Sequence, residues 1–61
     1  MNLTLFKFTN TVDGEEDPIF IYAGSEVSAF NIFKALIGDM PRSMLKIEEV
    51  EDLPEGVEAI N

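Results

Sequence analysis

Two short stretches near the start of the chain are dense in apolar and aromatic residues that favour β-strands. They cover residues 3–9 and 18–23. Between them lies Asp13-Gly14, the dipeptide preferred in a two-residue hairpin turn. We therefore predict a β-hairpin over residues 3–23. A wider loop at residues 14–17 is the alternative, and it would keep both strands but change their register.

A turn at Asp13-Gly14 places large apolar side chains on both faces of the hairpin. Phe6 then faces Ile21 on one side of the sheet. The other side, which we call the second sheet face, carries Leu3, Leu5, Phe20 and Tyr22. One helix of three turns covers only one side of a sheet, so the second sheet face needs another cover.

The next stretch has the period of an amphipathic α-helix over residues 25–37. Ser25 is a favoured N-cap, and Gly38 followed by Pro41 ends the helix. Apolar residues recur at helical spacing and predict the stripe that faces the sheet: Val27, Phe30, Phe33, Leu36 and Ile37.

Apolar and charged residues alternate over residues 44–50, which predicts a half-buried strand. Leu45 and Ile47 point to one face, and Lys46 and Glu48 point to the other. Residues 51–61 follow as an acidic C-terminal tail with a turn at residues 53–56. We expect this tail to add a short strand or to dock on the domain.

This order of elements predicts a single domain of the α+β class over residues 1–61. We expect a small ββαβ domain with a three-stranded, mainly antiparallel sheet and one helix packed on one face. Pro18 at the start of the second strand favours a sheet edge and gives the strand order 2-1-3. The alternative is a third strand parallel to the second, joined by a right-handed crossover.

The charge balance and the missing residue types exclude several classes of function. The 61 residues include twelve acidic and four basic side chains, for a net charge of −8, and neither histidine nor cysteine. Thiol chemistry, histidine-based catalysis and ordinary zinc sites therefore lack their residues. We predict no enzyme activity, no catalytic residue, no metal site and no cofactor. Asp13, Glu15 and Asp17 alternate, but they lack the spacing of an EF-hand calcium loop.

The second sheet face has two explanations. We favour an intermolecular contact, in which this face binds another protein or a second copy of the chain to form a homodimer. The alternative is that the tail folds back over this face with its few apolar residues, Leu53, Val57 and Ile60.

Half of the acidic residues lie between residues 48 and 58. Five of them define what we call the acidic rim: Glu48, Glu49, Glu51, Asp52 and Glu55. The rim is either a solvated surface that maintains solubility or a contact for a partner protein with a basic surface. A narrower form of the second idea is mimicry of nucleic acid, by which the rim would inhibit a DNA- or RNA-processing enzyme. The same charge argues against direct binding to nucleic acid or to a membrane.

We therefore expect a small acidic module that acts by protein–protein contact in the cytoplasm. In length, acidity and lack of catalytic groups, the chain resembles the small acidic accessory proteins that phages and other mobile elements encode. This resemblance implies inhibition or modulation of a host protein, and it transfers no residues. A structural or assembly protein that uses the second sheet face is a further alternative.

Overall fold

The computed structural model describes residues 2–11 and 18–60 of the chain. Its strands are β1 (Thr4–Asn10), β2 (Ile19–Ala23), β3 (Leu45–Val50) and β4 (Ala59–Ile60). The helix α1 spans Glu26–Ile37, and a short 3₁₀ helix spans Arg42–Met44. The predicted turn at Asp13-Gly14, with the alternating acids around it, lies outside the described residues.

The hairpin strands have the register that a two-residue turn predicts. Phe6 pairs with Ile21, and Leu5 pairs with Tyr22, in the antiparallel β1–β2 ladder. β3 pairs antiparallel with β1 on its other side. These three strands therefore have the expected order with β1 in the centre, and the alternative that places the third strand beside the second is wrong.

The sheet has a fourth strand, so the expectation of three strands is wrong, whereas the expectation that the tail adds a short strand is confirmed. β4 runs parallel to β2 and completes the order β3-β1-β2-β4. The prediction from Pro18 that the second strand is an edge strand is therefore wrong, because β2 lies between β1 and β4. The described part of the chain is thus an α+β fold with one helix and a mixed sheet of four strands. β4 is two residues long, which is too short for an alternating pattern to mark it in the sequence.

Helix α1 begins and ends where its caps predict. The Ser25 hydroxyl oxygen accepts a hydrogen bond from the Ser28 N–H at 3.2 Å. At the other end, the Gly38 N–H donates to the Lys34 carbonyl oxygen at 3.1 Å. Gly38 has a φ of 124°, a conformation that side-chain-bearing residues rarely adopt.

The helix contacts the sheet through a narrower stripe than the sequence predicts. Ala29 and Phe33 are buried, whereas Val27, Leu36 and Ile37 are 70%, 58% and 50% exposed. The placement of these three residues on the inner stripe is therefore wrong. At about 100° per residue, Val27 lies about 120° around the helix from Phe33. Leu36 and Ile37 lie in the last turn, beyond the buried pair.

The core lies between α1 and the face of the sheet that carries Phe6 and Ile21, opposite the second sheet face. Its buried residues are Phe6, Phe8, Ile21, Ala23, Ala29, Phe33 and Leu45. The rings of Phe8 and Phe33 stack with their centroids 4.8 Å apart and their planes 10° from parallel. This contact joins the helix to the central strand, and it removes two of the largest apolar side chains from water.

Residues 51–58, which we call the crossover segment, connect opposite edges of the sheet. They join β3 to β4, which run parallel to each other, and they therefore cross β1 and β2. Helix α1 joins β2 to β3 in the opposite direction across the sheet. Such connections are right-handed in about 98% of cases, and two right-handed connections that run in opposite directions lie on opposite faces. From this rule we infer that the crossover segment lies over the second sheet face.

Candidate interaction surface at the edge strand β3

The second sheet face is only partly open. Leu5 and Phe20 are each 3% exposed, although they point away from the helix-covered core. Tyr22 is half-buried, and Leu3 is 50% exposed. Leu5 and Phe20 are therefore already covered within the single chain, and of the four side chains only Leu3 is exposed. Their burial within the chain agrees with the placement of the crossover segment on this face.

The crossover segment contributes apolar contacts with few residues. Leu53 is half-buried, and Val57 is 37% exposed. Ile60, which the alternative of a folded-back tail places over this face, instead packs against the core on the helix side. A turn holds the middle of the segment, because the Val57 N–H donates to the Pro54 carbonyl oxygen at 3.2 Å. Gly56 has a φ of 82°, as the third residue of a type II turn requires. Glu55 is exposed in this turn.

The acidic rim follows β3 and continues into the crossover segment. Glu48 and Glu49 lie in β3, which is an edge strand of the sheet. Glu51, Asp52 and Glu55 follow it. Glu48 is half-buried, whereas the other four carboxylates are exposed. Glu48 and Glu49 pair with Lys7 and Phe6 and therefore lie on opposite faces of the sheet, whereas Glu51, Asp52 and Glu55 belong to the crossover segment.

The carboxylates of the acidic rim have no ion-pair partner within 4 Å among residues 2–11 and 18–60. Lys7 lies directly opposite Glu48 on β1, where opposite charges favour the pairing of the strands. An ion pair elsewhere joins Arg42 and Glu26 at 3.3 Å, with both side chains 50% exposed, so we expect it to stabilise the fold only weakly. The exposed rim carboxylates are therefore not neutralised by an ion pair among the described residues.

The backbone of β3 presents alternate residues to β1 and to the outside. The Thr11 N–H donates to the Met44 carbonyl oxygen at 2.9 Å, in line with the β1–β3 register. In an antiparallel ladder, every second pair exchanges hydrogen bonds. Lys46, Glu48 and Val50 therefore turn their backbone groups towards β1. Ile47 and Glu49 turn theirs outwards, where the described residues provide no neighbouring strand.

Sequence reasoning missed two further surface features. Val27, Leu36 and Ile37 leave apolar side chains exposed on the outer part of α1. A crevice of about 40 Å³ opens between the end of α1 and the sheet, with Phe8, Met40 and Leu45 among its lining residues. It is much smaller than the roughly 300 Å³ of the smallest usual ligand pockets. Both features depend on where α1 ends relative to the sheet, which has no signature in the sequence.

No group of three or more acidic side chains in the described part of the chain is arranged to hold a metal ion. Within the same residues, no helix is long and apolar enough to span a membrane. No model of a known protein family matches the chain, and no curated protein or solved structure shows significant similarity to it.

Proposed function

We propose that this chain is a non-catalytic protein-binding module whose acidic rim contacts a basic surface on another protein. The observation that carries the proposal is the exposure of four neighbouring rim carboxylates that have no ion-pair partner among the described residues. Like charges held close together repel one another, and a cationic surface relieves this repulsion. Such a surface also attracts a basic partner over a distance and increases its rate of association.

The fold supports this role because it restrains the acidic residues. Glu49 belongs to a paired strand, and Glu55 lies in a hydrogen-bonded turn. Both ends of the crossover segment join strands of the same sheet. Binding therefore costs less conformational entropy than it would for carboxylates on a disordered chain. In this respect the rim differs from a simple solubilising tail.

Mimicry of nucleic acid is a narrower form of the same proposal. A partner that normally binds DNA or RNA has a basic groove, and the exposed rim carboxylates are suitable occupants of such a groove. Inhibition of such a partner would suit an accessory protein of a phage or mobile element. In that case, added duplex DNA or RNA should displace the chain from its partner.

An assembly function based on the second sheet face has less support, because Leu5 and Phe20 are already buried within the chain. A partner would first have to displace the cover of this face. We therefore assign the protein contact to the acidic rim, where no such rearrangement is required.

Affinity capture from cells that express the protein tests the proposal. The test variant carries Glu51→Gln, Asp52→Asn and Glu55→Gln, and the control carries Asp39→Asn, an exposed acid outside the rim. We expect the chain and its control to retain the same basic proteins, and the triple variant to lose most of them. Binding to the unchanged chain should also weaken as salt is raised, because salt screens exposed charges. Equal retention by all three chains would refute a role for the rim.

A further inference from the structure

The outer edge of β3 has the backbone groups needed to pair with another strand. The N–H and C=O of Ile47 and Glu49 point outwards, and so does the Leu45 carbonyl oxygen. The Leu45 N–H is already used, because it donates to the Arg42 carbonyl oxygen. An exposed edge of this kind is a template for strand addition.

We propose that β3 of a second copy of the chain occupies this edge, antiparallel to the first and related to it by a two-fold axis at Ile47. Two sheets of four strands would then join into one continuous sheet. In such an isologous contact every pair occurs twice: if one residue of the first copy contacts another residue of the second, the same pair forms with the copies exchanged. The proposal concerns self-association, and it holds whether or not the acidic rim binds a further protein.

The charges on β3 select one register for this pairing. With Ile47 opposite Ile47 of the second copy, Lys46 faces Glu48 of that copy, and this favourable pair occurs twice. Only the outward residues Leu45, Ile47 and Glu49 can pair, so the second strand can slide only in steps of two residues. One such step in one direction places Lys46 opposite Lys46. A shift in the other direction places Glu48 opposite Glu48. Both alternatives put like charges at the centre of the contact, so the sequence of β3 is complementary to itself in one alignment.

The pairing would complete a row of alternating charge across the joined sheet. Lys7 is the partner of Glu48 within one copy. Lys46 of the second copy would lie on the other side of the same carboxylate. Glu48 is half-buried, and Lys46 is exposed in the single copy. Glu48 would then lie between two lysines, one from each copy.

The backbone hydrogen bonds fit the same alignment. The two Ile47 residues would exchange a pair of bonds, each donating its N–H to the other's carbonyl oxygen. The Glu49 N–H of each copy would donate to the Leu45 carbonyl oxygen of the other. None of these hydrogen bonds needs the Leu45 N–H, which already donates to the Arg42 carbonyl oxygen. Four backbone hydrogen bonds would therefore hold the two strands together.

The choice of a second copy over a basic peptide rests on the mixed charge of the edge. A strand made only of lysine and arginine would meet Lys46 as well as the glutamates. A second β3 matches both signs. The net charge of −8 on each copy opposes dimerisation, because the two copies repel each other at long range. Salt at about 0.15 M reduces this repulsion, because the screening length falls to about 8 Å.

Sedimentation velocity over a range of concentrations in 0.15 M salt, about the physiological ionic strength, tests the proposal. We expect the unchanged chain to form a dimer. Lys46→Glu and Glu48→Lys should each weaken dimerisation at least tenfold, because each places two like-charged pairs across the axis. An equimolar mixture of the two variants should recover a dimer, since a copy with glutamate at both positions then faces a copy with lysine at both. Lys34→Glu, the same charge change on exposed helix surface, is the matched control and should dimerise like the unchanged chain.

A backbone variant separates strand pairing from simple charge attraction. Glu49→Pro removes an outward N–H, while the bonds of β3 to β1 remain, and Glu49→Ala is its control for the lost side chain. We expect the proline variant to be folded by circular dichroism and monomeric, and the alanine variant to dimerise. A chain that is monomeric at all concentrations would overturn the proposal. So would a dimer that survives both charge reversals and Glu49→Pro, because it would use another surface such as the exposed residues of α1.

Failure of the self-association proposal can be distinguished from failure of the proposed binding function of the acidic rim. The variant with Glu51, Asp52 and Glu55 neutralised keeps the β3 residues that make the self-contact. It should therefore dimerise even if it loses a basic partner.

Discussion

Phe8→Ala should remove a large part of the protein's free energy of unfolding at 25 °C. Phe8 is 2% exposed and stacks on Phe33 across the helix–sheet interface. Replacing a buried phenylalanine by alanine costs about 3–5 kcal/mol. At about 0.05–0.15 kcal/mol per residue, a chain of this length has a total free energy of unfolding of roughly 3–9 kcal/mol. Urea denaturation followed by circular dichroism should show the transition midpoint move to a much lower urea concentration.

Leu36→Ala is the matched control for this substitution. Leu36 is also a large apolar residue, but it is 58% exposed at the end of α1. We expect its free energy of unfolding to change by no more than about 0.5 kcal/mol. If Leu36→Ala proved as damaging as Phe8→Ala, the helix would pack on the sheet in a different rotation from the one described.

Phe20→Asp should also abolish folding, although Phe20 lies on the face opposite α1. Its side chain is 3% exposed, so the substitution would place a carboxylate in a site closed to water and remove a large apolar contact. The loss of the ring alone costs about 3–5 kcal/mol. The expected readout is a far-ultraviolet circular dichroism spectrum without helix or sheet signal and no cooperative thermal transition.

Leu3→Asp provides the comparison for Phe20→Asp, because Leu3 is 50% exposed just before β1. We expect this variant to keep a thermal transition close to that of the unchanged chain. A folded Phe20→Asp protein with a transition similar to that of Leu3→Asp would mean that the second sheet face is open. The crossover segment would then not cover it.

Much of the central fold could be predicted from local sequence features. The hairpin register follows from the spacing between two apolar stretches, and the ends of α1 follow from Ser25 and Gly38. These signals are local, so one stretch of chain suffices to recognise them. β4 has no such signal: its two residues form a strand only because the crossover segment delivers them to the edge of β2.

The rotation of α1 was predicted incorrectly for a related reason. Apolar residues occupy positions almost all around this helix, so the sequence pattern alone leaves its inner side ambiguous. The sheet decides, because Phe8 lies opposite Phe33 and fixes the contact there. Val27 and Leu36 then remain outside, in positions that no local pattern marks.

The candidate site was predictable in its composition but not in its geometry. The cluster of carboxylates after residue 48 is evident in the sequence, and the structure exposes all but one of the five rim residues. The outward direction of the Ile47 and Glu49 backbone groups is not evident, because it depends on which neighbour β3 pairs with and in which register. Which backbone groups of β3 are open to a second strand therefore depends on its pairing with β1.

Amide hydrogen exchange, measured residue by residue along β3 at low and high protein concentration, tests most directly whether this protein associates through β3. At low concentration we predict slow exchange at Lys46, Glu48 and Val50, which bond to β1, and fast exchange at Ile47 and Glu49. At high concentration Ile47 and Glu49 should become protected together. Fast exchange at these two amides in a sample that is dimeric by mass would contradict the account, as would their protection in the monomer.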